Sequence, residues 1–407
     1  MNVVLVEPHF PRNQREFARG LAAAGATVIG IGEASADHLD DELRGWLDHY
    51  EQVGSVTDVE ALTQAVRRLQ GHVRVNRLEA TIEAHTMAAA HAREACGIPG
   101  TSVRTAWLCR DKPSMKQALR EAGVPTAASI AADTAGQVRD FAERVGYPLI
   151  LKPRSGAGAA DTMRVDTAAD LDRALGVFRG QGVDSIAVEE FVEGHEGFYD
   201  TLSIDGRPAL DFVCHYYPNV LEAMRARWIS PQFVATNRVE TAPEYAELRN
   251  MGRRVNAALG IGTSATHMEW FFGPKGLRFS EIGCRPPGVG AWDLYCAGND
   301  LDLYREWAMA VVHGRVEATA SRRFAAGMLA LRPDSEGTIS GYSGVDEMQQ
   351  QYGEWVIDAH LPPVGTPTQP VEAGYMANAY VCMRHPDYDA LLSMLDTVGR
   401  TLHVHAR

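Results

Sequence analysis

Residues 266–286 read THMEWFFGPKGLRFSEIGCRP. Thr266 to Phe272 and Leu277 to Ile282 are rich in strand-forming residues, and Gly273-Pro274-Lys275-Gly276 between them carries the turn chemistry of a hairpin. Each run holds one carboxylate, Glu269 in the first and Glu281 in the second. Carboxylates on half-buried strands are costly unless they are paired or bind a cation. A five-residue loop or a bulge places Glu269 directly opposite Glu281, a hard-oxygen site for Mg²⁺. A plain four-residue loop sends the two to opposite faces. Arg285, just beyond, either clamps an anionic substrate or pairs with these glutamates.

Two upstream stretches bear on the same question. Lys152 ends the apolar strand Pro148 to Lys152 and leads into Pro153-Arg154-Ser155-Gly156-Ala157-Gly158-Ala159-Ala160-Asp161. Small residues let backbone N–H groups approach an anion while the lysine supplies a point charge. Alone, the segment favours a solvated surface loop over a phosphate cradle. In Glu189-Glu190-Phe191-Val192-Glu193-Gly194-His195-Glu196 a strand runs out into carboxylates. That is either a solvated acidic loop or a strand end that meets an adenine edge, with a later carboxylate accepting two ribose hydroxyls.

The 407-residue chain carries 39 Lys plus Arg against 52 Asp plus Glu, a formal charge of −13 that argues against nucleic-acid binding. Its 45% hydrophobic and 22% charged residues are an ordinary globular mixture, long enough for several domains. No run approaches the ~18 apolar residues of a membrane span, and the N-terminus opens on a strand pattern rather than a leader, so a cytoplasmic protein is expected. The six cysteines show no CxxC pair and no metal-ligand spacing, which suits reduced thiols; Cys284 reads as a small apolar residue.

Asn2 to Val6, Gln14 to Ala24 and Ala26 to Ile31 read as β-α-β. The first turn, Glu7-Pro8-His9-Phe10-Pro11-Arg12, lacks the glycines of a dinucleotide fingerprint, which disfavours NAD. A helix Val59 to Leu69, a weak strand Val73 to Val75 and a helix Glu83 to Cys96 continue an open α/β unit. Beyond it, Lys112 to Ala122 reads as a helix stopped by Gly123, and Asp205-Gly206 marks a hairpin. The last stretch mixes short strands, a Pro-rich connector and a final helix, Pro386 to Val398.

In this order and spacing, the three stretches resemble the ATP-grasp superfamily. Cys109-Arg110-Asp111-Lys112 with the following Gln117 to Pro125 is similar to the family's DK segment, and Leu78 to Gly100 and Glu336-Gly337 are similar to flanking parts of its biotin-carboxylase-like branch. The resemblance implies an α/β fold with α+β lobes: an N-terminal open α/β pre-ATP-grasp domain (1–105), a two-lobed ATP-grasp domain (106–315) hinged near 189–196, and a small mixed C-terminal domain (316–407). It implies that Lys112 and Lys152 contact the nucleotide phosphates while Ser155, Gly156 and Gly158 close over them. Glu189 falls at the adenine end, Phe191 and Val192 in the hinge, and Glu196 at the ribose. Glu269 and Glu281 match the Mg²⁺ ligands, with Mn²⁺ as an alternative ion. Arg285 matches the arginine that steadies an acyl-phosphate or its carboxylate precursor, and Lys152 and His267 complete the expected catalytic set.

The family's Glu-x-Asn metal motif ends here in Gly283, so water or substrate must fill that position. His267 stands where some relatives have arginine; it is either close to the active site or a neutral histidine satisfied in the core. His215-Tyr216-Tyr217, Arg225 and Arg227 fall where family substrates are enclosed by loops, although an exposed basic face explains the arginines equally well. The implied activity is an ADP-forming ATP-dependent ligase joining a small-molecule carboxylate to an amine, most similar to the L-amino acid ligase branch. No membrane or nucleic-acid partner is expected, and a homodimer is compatible. The alternatives are a purine- or biotin-type carboxylase, which the missing Asn and the lack of a biotin-carrying Met-Lys count against, and a degenerate nucleotide-binding module, which only Gly283 favours.

Overall fold

A computed structural model describes residues 1–154, 162–180, 185–224, 229–371 and 378–407. Asn2–Val6 (β1), Thr27–Gly32 (β2), His49–Gln52 (β3) and Arg77–Glu79 (β4) form a parallel sheet in the order β3-β2-β1-β4. β1 is buried along nearly its whole length, which is why it reads as one unbroken apolar run. The strand expected at Val73 to Val75 lies instead at Arg77–Glu79, because there the backbone finds β1 to pair with, while Val75 only packs into the core below. The helix expected from Glu83 starts at Thr86, after a 3₁₀ turn over Glu83–His85.

Ser129–Ala132 (β5), Leu149–Pro153 (β6), Met163–Val165 (β7) and Ile186–Glu190 (β8) form a second, antiparallel sheet, ordered β5-β8-β6-β7. The largest sheet is built from His195–Ile204 (β9), Arg207–Tyr217 (β10), Gln232–Ala235 (β11), Ser264–Gly273 (β12), Gly276–Gly283 (β13) and Ala325–Leu331 (β14). After Ile339–Ser343 (β15), Val356–His360 (β16) and Ala379–His385 (β17) complete it in the order β13-β12-β9-β10-β11-β14-β17-β16, while β15 pairs separately with His403–Ala406 (β18). The β9–β10 turn is the Asp205-Gly206 pair read from the sequence; both have φ near the left-handed value that a two-residue hairpin needs, +49° and +80°.

One core cluster joins the N-terminal sheet and helix to the large sheet and its helices. Phe17, on the helix Gln14–Ala23, packs edge-on against Tyr304 and Trp307 with ring centroids 5.0 Å apart. Arg19 on the same helix grips Asp302 through two hydrogen bonds of 2.7 and 3.1 Å. Among the described residues, no helix is long and apolar enough to cross a membrane.

Candidate active site

Asp111 caps the helix Lys112–Glu121, accepting from the Ser114 N–H, and also takes two hydrogen bonds from Arg154 at 2.9 and 3.1 Å. The cap fixes where the helix begins, so Lys112 and Lys116, four residues apart, share a face. That face meets β6, β8 and β13. Lys152 and Glu189 lie on one face of the second sheet, because Lys152 pairs with Ala187 and Ile150 with Glu189. Glu189 Oε2 accepts from Lys116 Nζ at 2.5 Å and from Lys152 Nζ at 3.1 Å. Lys112 and Lys152 also approach Glu281 Oε2, at 3.5 and 3.9 Å.

The electrostatics follow from these distances. Burial disfavours the Glu189 carboxylate, but the Lys116 and Lys152 charges outweigh it and hold its pKa at about 2. Burial likewise opposes the Lys152 ammonium, and Glu189 and Glu281 overcome it, raising the pKa. Lys116, almost wholly enclosed, is the reverse: burial wins over Glu189 and brings it to about 8. Glu189 Oε1 is buried with no hydrogen-bond partner, an acceptor that lacks a donor.

Glu269 and Glu281 lie directly opposite each other. The β12–β13 turn is tighter than expected, Gly273 pairing with Gly276, and an unbulged ladder would set Glu269 against Ser280. A bulge between Glu269 and Trp270 on the one side absorbs Ser280 and brings Glu281 into register. Of the two arrangements open to the sequence, the bulged one occurs. Glu196, on β9, shares their face, since Phe271 pairs with Glu196 and Glu269 with the next residue but one.

Burial, then repulsion from Glu281 and Glu196, raises Glu269 to about 8; burial raises Glu196 to about 7, although the Val220 N–H donates to it at 2.7 Å. Glu281 goes the other way: burial is outweighed by Lys112 and Lys152, and its pKa falls. Carboxylates under mutual repulsion fit a divalent cation.

The remaining candidates are placed as follows. Arg285 does not pair with Glu269 or Glu281. Its Nε donates to Glu83 Oε2 at 3.0 Å, a carboxylate from the N-terminal unit, because the chain turns away from the ladder after Gly283. A Cβ on Gly283 would meet that same Glu83 Oε2 at 3.1 Å and Arg285 Nε at 3.4 Å. Gly283 is not in the left-handed region of φ, so space rather than backbone freedom distinguishes this position.

His267 is both core-anchored and near the site: Nδ1 is 2.7 Å from Asp200 Oδ1 and Nε2 is 3.9 Å from Glu269 Oε1. Phe191 and Val192 follow β8, and the Phe191 N–H is taken by the Pro148 carbonyl. His215 and Tyr217 face away from the carboxylates. His215 opposes Gly197, on the other face from Glu196, and bridges His195 and Tyr245 at 2.9 and 2.8 Å, while Tyr216 is buried against Phe198. Ser155, Gly156, Gly158, Arg225 and Arg227 lie outside the described residues.

Sequence reading missed Lys116, Glu83 and Asn219. The i, i+4 spacing from Lys112 signals Lys116; nothing local signals Glu83. Asn219 holds the start of β9, its Oδ1 accepting from the Glu196 N–H at 3.0 Å and its Nδ2 donating to the Gly194 carbonyl at 2.8 Å.

Residues 117–299 match the family model of the ATP-grasp domain, and the chain carries an ATP-grasp domain in an ATP-grasp fold. Among curated proteins, it is 23% identical over 376 residues to the L-arginine-specific L-amino acid ligase of Bacillus subtilis, covering 88% of this chain and 87% of the relative. Among solved structures, the L-amino acid ligase from Bacillus licheniformis superposes with a TM-score of 0.80 at 17% identity, over 100% of this chain and 98% of the other. The biotin carboxylase domain of Hydrogenobacter thermophilus 2-oxoglutarate carboxylase, solved as a dimer with MgADP, ADP and bicarbonate, gives 0.64 at 15% identity, over 99% and 90%.

Proposed function

We propose that this chain is an ATP-dependent ligase that joins a small-molecule carboxylate to an amine through an acyl-phosphate, releasing ADP and phosphate, and that it works in the cytoplasm. The observation that carries this reading is the convergence of three lysines on the Glu189 and Glu281 carboxylates, beside a third carboxyl group, Glu269, which burial and then Glu281 and Glu196 hold toward its protonated form until a cation is there. Lys112 and Lys152 are suited to meet polyphosphate oxygens, which would take over the role that Glu281 and Glu189 play toward them here. Glu189 Oε1 lies ready to accept from an exocyclic amine of a base, with Val192 rather than Phe191 left to meet the base edge from the hinge. Glu196, fixed by the Val220 N–H, is suited to accept ribose hydroxyls.

Glu269 and Glu281 would hold Mg²⁺, with Mn²⁺ as a substitute. When bound, that ion supplies positive charge to the transferring phosphoryl group. Arg285 would steady the carboxylate being activated, its guanidinium already oriented by Glu83. His267, held by Asp200, presents its other nitrogen beside Glu269 and orients that carboxylate.

The test is direct. Purified protein with ATP, Mg²⁺ and pools of amino acids and related acids is assayed for phosphate release, with mass spectrometry of the products. An amide product with one ADP per bond is the expected result. AMP with pyrophosphate, or phosphate release that needs bicarbonate and no amine, would overturn it.

A further inference from the structure

The two-stranded sheet of β15 and β18 carries a serine and a histidine that meet an aspartate from the preceding loop. The strands run antiparallel with Ser343 opposite His403 and Gly341 opposite His405, so Ser343, His403 and His405 share one face. His405 Nε2 lies 2.8 Å from Ser343 Oγ, and its Nδ1 lies 3.3 Å from Asp334 Oδ2. Asp334 Oδ1 accepts from the Ala406 N–H at 3.0 Å, which fixes the carboxylate beside the ring. That bond, with the contacts from His405, outweighs burial and holds the Asp334 carboxyl below its ordinary range. An ionised Asp334 accepts the Nδ1 proton, so Nε2 carries the lone pair and the Ser343 hydroxyl donates to it. This is the tautomer in which a histidine takes a proton from serine. The ligase chemistry uses none of the three.

Two features bear on the substrate. A Cβ on Gly341 would meet no atom within 4 Å, so the face between Ser343 and His405 is open. Gly344, at φ +86°, turns the chain from β15 into the helix Val345–Tyr352, a strand-turn-helix setting that presents a nucleophilic serine. The first N–H groups of that helix, which lack partners within it, follow Ser343 directly and are donors for an oxyanion. Asp346 and Glu347 in the same turn weaken that hold, and water screens Asp334 and His405, whose side chains are 58% and 44% exposed. Activation is therefore modest, and the substrate must bring a good leaving group.

We propose that Ser343, His405 and Asp334 form a second active site, an esterase for small carboxylic esters of phenols and similarly acidic alcohols. Ser343 Oγ attacks the ester carbonyl as its proton passes to His405 Nε2. The bond from the acyl carbon to the leaving oxygen then breaks, His405 returns the proton to that oxygen, and an acyl-serine remains. Water gives a proton to His405 and adds to the acyl carbon; the bond to Ser343 Oγ breaks, the proton goes back to Ser343, and the acid leaves. One ester and one water become one acid and one phenol. Asp334 holds the imidazole without touching the substrate and is a positioning residue.

The full-length protein is assayed with p-nitrophenyl acetate in the absence of ATP and divalent metal, so the outcome does not depend on the ligase reading. Ser343→Ala, at an exposed position that tolerates truncation, and His405→Gln should each slow hydrolysis by about a hundredfold, the low end of what a positioned base supplies. A fluorophosphonate probe followed by peptide mass spectrometry should place the label on Ser343. Asp334→Asn should lower kcat by about tenfold and keep KM, because an amide does not hold the required tautomer, whereas a merely structural role would not separate the two. His403→Gln, on the same face, should keep the rate. Hydrolysis unchanged in Ser343→Ala, a label on His403 or a lysine in place of Ser343, or a rate no higher than that of buffer would overturn the proposal.

Discussion

Glu269 is built into its place at a cost. Its carboxyl is raised to about 8 from an ordinary 4.5, first by burial and then by Glu281 and Glu196, so the folded protein binds a proton there that the unfolded chain does not. Stability is therefore present below 4.5 and is lost as pH rises toward about 8. Glu269→Gln should remove most of that slope and raise the melting temperature of the nucleotide- and metal-free protein at the alkaline end, while turnover falls by orders of magnitude. Glu196, raised for similar reasons, leaves a residual slope. An unchanged melting profile would show that Glu269 is not under repulsion.

Gly283 makes the complementary case. An asparagine there must enter space held by Glu83 Oε2 and Arg285 Nε, so Gly283→Asn should raise the KM for the acid more than the concentration of Mg²⁺ needed for half-maximal activity. A change in the Mg²⁺ requirement alone would assign the position to the metal instead. Sequence exposed the missing amide but not what fills its space, because Glu83 and Arg285 are far apart along the chain and meet only in the folded protein.

Among elements, β9 and the β12–β13 hairpin do most to shape the site. The hairpin was readable as two strands with a glutamate on each, but its register was not, since register depends on a bulge that the ladder accommodates at Ser280 and no residue type announces. The alternation along β9 was masked in the same way: Phe198, Tyr199 and Leu202 are buried on both faces, so apolar residues do not reveal which side carries Glu196. Lys116, by contrast, was legible in principle, because helical spacing from Lys112 places it on the same face. At the start of β9 the strand depends on Asn219, whose two hydrogen bonds contribute about 0.5–1.5 kcal/mol each. Asn219→Ala should free Glu196 to shift and raise the KM for ATP by about tenfold with a smaller change in kcat. Isothermal titration with a nonhydrolysable ATP analogue gives an independent measure, and unaltered nucleotide affinity would remove Asn219 from the account.

Across the whole molecule, the groups proposed to meet the nucleotide and those proposed to meet the acid come from different parts of the chain. The lysines, Glu189 and Glu281 are held by the second sheet, the helix Lys112–Glu121 and β13, whereas Glu83 reaches Arg285 from the N-terminal unit. What keeps that unit in place is the shared core around Phe17, which touches Trp292, Tyr304 and Trp307, and the Arg19–Asp302 pair beside it. A shared core of this kind should couple the unfolding of the N-terminal sheet to that of the large sheet. Phe17→Ala should cost about 3–5 kcal/mol, a large share of the ~5–15 kcal/mol typical of a folded protein, and urea unfolding should remain a single transition at lower midpoint. Because the cavity loosens the N-terminal unit and leaves the lysines alone, the KM for the acid should rise more than the KM for ATP. A second unfolding transition in the parent protein, or equal changes in both KM values, would mean that Phe17 joins nothing beyond its own helix.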